Sequence, residues 1–194
     1  MTTSVVLASN NSGKLAEFRS LLAPIGWDVH AQSEFDVPEA DEPHCTFVEN
    51  ALQKARHAAR LTGHPALADD SGVCVNALGG RPGVQSARYA GEPKADARNN
   101  AKLLADLALH ADRSAYYYCV LVFVRHADDP QPVIADGSWH GSIVDTARGN
   151  SGFGYDPYFL VDGLNRTAAE LTADQKNHLS HRGQALRNLI SKLK

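Results

Sequence analysis

The chain has 194 residues, 43% of them apolar and 21% charged, enough to bury a real core within about one domain's length. A formal charge of -3 gives no global positive field, which argues against polymeric nucleic acid or an anionic membrane surface as a partner. A small phosphorylated ligand remains open, since it needs only a local cluster of cations and amides.

In chain order, residues 5–8 are a continuous apolar, β-branched run, the mark of a buried strand, and they lead into a polar, flexible stretch. From Lys14 the apolar residues Leu15, Phe18, Leu21 and Leu22 recur at helical spacing until Pro24 and Gly26 stop them. Thr46 and Glu49 have the spacing of a capping box, and Ala51, Ala55, Ala58 and Ala59 mark one face of a helix that ends at Gly63. Residues 65–68 read as a short strand, 69–72 as a turn, and 73–75 as its continuation or return. A helix is expected over 95–109 and a strong strand over 116–124, with shorter strands at 132–135 and 142–144 around Gly137 and Gly141. A glycine-rich aromatic loop fills 149–159, and Thr172 with Gln175 opens a C-terminal helical region. Strand and helix alternate early and strands adjoin later, so an α/β fold with a mixed sheet follows.

The three cysteines, Cys45, Cys74 and Cys119, are widely spaced and lack zinc-type spacing, so they read as reduced core residues. The amino-terminal stretch has no basic leader and no apolar run of membrane-spanning length, which points to a cytoplasmic location.

Several clusters carry polar chemistry. Ser9, Asn10, Asn11, Ser12, Gly13 and Lys14 follow a buried strand at a helix start, where exposed amides, the helix dipole and an ammonium can hold phosphate. The same segment reads equally well as a polar turn capped by Asn11 or Ser12. Asp69 and Asp70 offer hard oxygens suited to Mg2+, and one of them could polarise a water; paired acids in a turn are also ordinary solvated turn formers. Glu39, Asp41 and Glu42 precede the capped helix, and Lys54 within it could reach phosphate or solvent. Phe153, Gly154, Tyr155 and Asp156 combine close backbone approach, two aromatic faces and an acceptor. Lys176, His181 and Arg182 group donors suited to a purine carbonyl or a phosphate.

Six blocks, SNNSGK, TFVENALQKA, ALADDSG, ALGGRPGVQSARYAG, GFGYDPYF and LSHRGQAL, stand in the order found in the inosine triphosphate pyrophosphatase family, which the chain resembles over essentially its whole length. The resemblance implies a two-lobed α/β fold around a long mixed sheet with helices on its faces, a substrate cleft between lobes, one pyrophosphatase domain spanning 1–194, and a homodimer. It implies Mg2+-dependent hydrolysis of dITP, ITP and XTP to monophosphate and pyrophosphate, which removes deaminated purines from nucleotide pools. Ser9 to Lys14 would then bind the triphosphate, Asp70 would ligate Mg2+ and act as general base, and Ser71 would contact substrate. Phe153 to Asp156 would enclose the base, with Lys176, His181 and Arg182 on the purine or phosphate. The second metal ligand aligns with Glu39, Asp41 or Glu42 through small gaps, Glu42 favoured and Asp41 close behind, and the departures from the family pattern, Asn10 and residues 43–45, touch no proposed catalytic group. A nucleotide-binding module without catalysis and a nucleotide hydrolase of different base preference are the competing readings.

Overall fold

The structure, a computed structural model, describes residues 3–193 apart from the side chain of Ser12. Six strands form one sheet: β1 (Thr3–Leu7), β2 (Trp27–Ala31), β3 (Ala66–Val75), β4 (Ser114–Val124), β5 (Val133–Ile143) and β6 (Phe159–Val161). Their order is β2-β1-β3-β4-β5-β6. Five α-helices accompany them: α1 (Ser12–Leu22), α2 (Phe47–Thr62), α3 (Asp96–Leu107), α4 (Ala173–Leu179) and α5 (His181–Lys192). The sheet is mixed, as expected: β1 pairs parallel with β2 and β3, and β5 pairs antiparallel with β6.

The chain divides into two compact units, each built from separate segments. The first comprises Met1–Asp70, Val120–Asp136 and Ala185–Lys194. Here Val5, Val6 and Leu7 are fully buried, as suits a strand with parallel neighbours on both edges. Phe18 and Leu22 of α1 are buried too, and α2 buries Ala51, Ala55, Ala58 and Ala59. Gly63, at φ 71, closes α2 in the left-handed conformation that glycine reaches without a Cβ penalty.

The second unit comprises Ser71–Cys119 and Gly137–Gln184. Its core is aromatic: Tyr117, Trp139 and Phe159 sit within 4.7 to 6.2 Å of one another by ring centroid. Leu103 and Leu107 of α3 join this core.

Four local readings are corrected by the fold. Residues 69–72 are not a turn but the middle of the continuous strand β3, because the buried Asp69 and Asp70 are partnered by Lys14 and Lys54 and need no solvent. The two short strands at 132–135 and 142–144 are one strand, β5. Its Gly141 is no breaker: a Cβ there would lie 2.3 Å from the Leu160 carbonyl oxygen and 2.8 Å from the Phe159 ring, so glycine permits the close approach of β6. Strands β2 and β6, short and weakly patterned, were not legible locally and form by pairing with β1 and β5. Cys74 and Cys119 are buried, but Cys45 is exposed.

Gly141→Ala is expected to destabilise the protein by about 2–3 kcal/mol, because backbone must move to admit the methyl group. Gly63→Ala, which meets no atom within 4 Å and bears only the left-handed backbone cost, should lose about 1 kcal/mol. Urea denaturation of the two variants measures the difference, and equal losses would contradict the crowding at Gly141.

Candidate active site

In the first unit the site begins with strand alternation. Neighbouring residues on a strand point to opposite faces, so Asp69 and Asp70 cannot share a partner on one side of β3. Asp69 accepts from Lys14 Nζ through both oxygens, at 2.9 and 2.8 Å. Asp70 accepts from Lys54 Nζ at 3.2 Å and from Asn50 Nδ2 at 3.4 Å. Lys14 rises from the first turn of α1, and both Asn50 and Lys54 from α2, where their four-residue spacing sets them on one face.

Lys54 Nζ also lies 2.5 Å from Glu42 Oε1, so one ammonium joins two carboxylates from separate segments. The acidic loop is fastened by α2. The Asn50 side chain accepts from the His44 N–H at 3.0 Å and donates to the His44 carbonyl at 3.2 Å, while Gln53 Nε2 donates to the Asp41 carbonyl at 2.9 Å. These bonds bring Glu42 to Asp70 and leave the side chains of Asp41 and Glu39 exposed. Asp41 and Glu39, the alternatives to Glu42 as the second metal ligand, therefore stand outside the cluster.

Burial raises Asp70 to about 6; Lys54 opposes that shift and Glu42 adds to it. Burial alone would lower Lys54, but Asp70, Asp69 and Glu42 together hold its ammonium above the usual range. Two carboxylates already gathered around one cationic nitrogen are also a donor set for a hard divalent ion, so Glu42 and Asp70 fit Mg2+. Among the described residues, no group of three or more His, Cys, Asp or Glu forms a metal cluster.

Asn11 caps α1, its side chain accepting from the Lys14 N–H at 3.0 Å, and its own N–H donates to Ser9 Oγ at 3.2 Å. Asn10 and Asn11 are exposed and Ser9 half-buried. Gly13 lies in the first turn, where a Cβ would come within 3.2 Å of the capping oxygen of Asn11. The side chain of Ser12 falls outside the described atoms.

In the second unit the hub is Asp156, only 3% exposed. Its carboxylate accepts from Tyr117 OH at 3.2 Å, from the Phe153 N–H at 2.9 Å and from Lys176 Nζ. That ammonium also lies 4.8 Å above the centre of the Phe153 ring, which is 58% exposed. Tyr155 departs from the expectation of a second stacking face: its ring belongs to the core, and its hydroxyl donates to the Ser86 carbonyl at 2.8 Å. Gly154, at φ 63, is held through both backbone groups, its N–H by Asp96 at 2.7 Å and its carbonyl by Asn100 at 2.9 Å.

The C-terminal helical region breaks at Ser180, whose extended backbone ends α4 and whose hydroxyl accepts from the Gly183 N–H at 3.2 Å. His181 and Arg182 are thus the first two residues of α5 and are buried there, with Arg182 donating to Ser71 Oγ at 3.2 Å. A cation at a helix start opposes the dipole, so the Arg182 guanidinium concentrates positive potential there instead of capping the helix. His181 stacks on Tyr117, centroids 4.7 Å apart and planes 8° from parallel.

Sequence reasoning singled out neither Asn50, Tyr117, Asp96 nor Asn100. The first had a signal: a polar residue within the alanine face of a capped helix, four positions before Lys54. Tyr117 had none, since an aromatic residue in a strong strand reads as core.

Because burial raises Asp70 above its unfolded value of 3.8, its contribution to stability is greatest below about pH 4 and declines as pH rises through about 6, where the ionised form must be held in the fold. Asp70→Asn removes that load. In EDTA the variant is expected to be more stable than wild type at pH 8, by on the order of 1–3 kcal/mol, with the advantage gone at pH 4. Thermal unfolding at both pH values checks this, and an equal offset at both would contradict it.

Comparison with known proteins places this arrangement. A model of the Ham1 family matches residues 5–192. The chain is 65% identical to the dITP/XTP pyrophosphatase of Ralstonia nicotianae over 193 residues, covering 98% of this chain and 96% of that one. It is 65% identical to the dITP/XTP pyrophosphatase of Aromatoleum aromaticum, covering 100% and 98%. Among solved structures, a HAM1 protein from Coxiella burnetii matches with a TM-score of 0.95 at 50% identity, over 99% of this chain and 98% of that one. The Ham1 protein of Staphylococcus aureus matches at 0.90 and 40%, over 98% of each chain. Sequence and fold agree along the full chain, the likeness drawn from the six blocks holds, and this protein belongs to the Ham1 family.

Proposed function

We infer that this chain hydrolyses non-canonical purine nucleoside triphosphates, dITP, ITP and XTP, to the monophosphate and pyrophosphate. The observation that carries the chemistry is the buried Asp70 carboxylate, raised to about 6 and paired with Lys54 and Glu42. The substrate class follows from close relatives bearing the name dITP/XTP pyrophosphatase. A carboxylate of that pKa is mostly ionised near pH 7.5 yet basic enough to take a proton in the transition state. Asp70 accepts a proton from water, the water oxygen bonds to the α-phosphorus, and the bond from that phosphorus to the bridging oxygen breaks, releasing pyrophosphate. Lys54 and Lys14 offset the charge that grows on the phosphates, and the amides at the start of α1 add a positive end to that field.

Mg2+, held by Glu42 and Asp70, would supply Lewis-acid neutralisation of the phosphate oxygens. Phe153 supplies a face for the base, and Lys176, His181 and Arg182 supply donors for the C6 carbonyl of hypoxanthine or xanthine. Adenine has an amino donor at that position and would leave those donors unpaired. Ser71, bonded to Arg182, would contact the substrate nearby.

A homodimer and a cytoplasmic location remain part of the proposal on the strength of the family likeness. No helix among the described residues is long and apolar enough to cross a membrane.

The test is product analysis with Mg2+ and dITP, XTP, dGTP and ATP in parallel. Monophosphate and pyrophosphate from dITP and XTP are expected, with dGTP and ATP nearly inert. Orthophosphate as the first product, or tight binding without turnover, would overturn the reading. Asp70→Asn should lower turnover of dITP by roughly 10²–10³-fold with little change in nucleotide binding. Glu42→Gln should raise the Mg2+ concentration needed for half-maximal rate by about tenfold or more.

A further inference from the structure

Asp156 and His181 belong to the base-reading cluster, yet neither is held by its own element. Asp156 opens a single 3-10 turn, and His181 opens α5 where the helical region is interrupted at Ser180. Tyr117, in the interior of β4 and 8% exposed, touches both. Its ring lies nearly parallel to the His181 imidazole, at 4.7 Å and 8°, and the Trp139 ring flanks both, 6.5 Å and 17° from the same imidazole and 6.2 Å from Tyr117. Its hydroxyl donates to Asp156 Oδ1 at 3.2 Å, while Asp156 Oδ2 accepts from the Phe153 N–H and from Lys176. One side chain on a rigid strand thereby sets the plane of one donor ring and, through the carboxylate, the position of a second donor.

We propose that Tyr117 is a positioning residue for purine selectivity, its ring orienting His181 and its hydroxyl fixing Asp156 so that Lys176 and His181 meet a C6 carbonyl together. The proposal rests on reading the chain as a purine triphosphate pyrophosphatase. Burial, with Asp156 alongside, keeps the phenol well above its ordinary pKa, so it stays a donor across the working pH range. The strand does what a loop cannot: backbone pairing removes the freedom of Tyr117, and stacked planes leave the imidazole little rotation about its own bond. Loss of the hydroxyl strips a buried carboxylate of one partner, and Lys176, which shares that carboxylate, would lose its register with the base. Loss of the ring would free the imidazole as well. Such a residue acts on discrimination and not on the bond-breaking step, which Asp70 serves.

The experiment compares kcat and KM for dITP and dATP in wild type, Tyr117→Phe and Tyr117→Leu, alongside NMR of the His181 imidazole in the ligand-free protein. Tyr117→Phe keeps the stacked ring and loses the hydroxyl. It is expected to lower the dITP to dATP ratio of kcat/KM by roughly tenfold, through KM for dITP, with kcat nearly unchanged. Tyr117→Leu should lower the ratio further. The carbon-bound protons of His181 should be shifted upfield by the facing ring in wild type and in Tyr117→Phe, and should return toward free-imidazole values in Tyr117→Leu. A ratio that stays constant while both substrates lose rate equally would reduce Tyr117 to a core residue and overturn the proposal. An unshifted His181 in wild type would overturn it even if Tyr117→Leu fails to fold. Wild-type protein that turns over neither nucleotide would instead sink the pyrophosphatase reading, an outcome distinct from an altered or unaltered ratio.

Discussion

A carboxylate in the middle of a strand with 8% of its surface exposed is a costly thing to bury, and Asp70 remains there because Lys54 and Asn50 converge on it from α2, the same Lys54 ammonium also offsetting the like charge of Glu42 from the loop before α2. Much of the first unit follows from that requirement. The sheet order β2-β1-β3 makes the two crossovers run in opposite directions along the sheet, and right-handed connections then set α1 and α2 on opposite faces. Asp69 and Asp70 alternate across the same strand, so each acid meets the lysine of a different helix. An exchange of either lysine for a neutral residue would take the neutralising cation from a buried carboxylate, which costs far more than the ion pair itself contributes.

The same logic explains why the acidic loop is orderly. Glu42 could point into solvent like Asp41, but the Asn50 amide grips both backbone groups of His44, and the loop is closed against α2. The ammonium of Lys54 then balances two acids at once. A site built this way is electrostatically soft: phosphate oxygens can engage the ammonium, and a divalent ion can engage the carboxylates that it holds together.

The second unit solves a different problem with similar means. A buried Asp156 collects a phenol, a backbone amide and a lysine, and the loop around Gly154 is pinned by Asp96 and Asn100 of α3. His181 and Arg182 stand at the start of α5, where the helix field adds to the charge of the Arg182 guanidinium. A cation at the wrong end of a helix lowers stability and favours an acceptor-bearing ligand, the usual trade between a stable fold and a working site.

Local patterns determined much of this protein. Helical spacing and capping residues marked α1, α2 and the C-terminal helices, because those signals lie within a few residues of one another. Six ordered blocks marked the family, and Glu42 was preferred over Asp41 by alignment with it. Tertiary structure alone decided that Asp69 and Asp70 are strand residues and not a turn, since two lysines more than fifteen residues away neutralise them. It decided that Gly141 lies inside a strand, since only the approach of β6 requires a missing Cβ, and that Tyr155 is core while Phe153 is exposed, since alternate residues of an irregular loop carry no periodicity to tell them apart. It also brought Tyr117 to Asp156, 39 residues on, and to His181. Sequence records which groups are available; the cost of burying charge, settled between segments distant in the chain, decides which of them meet.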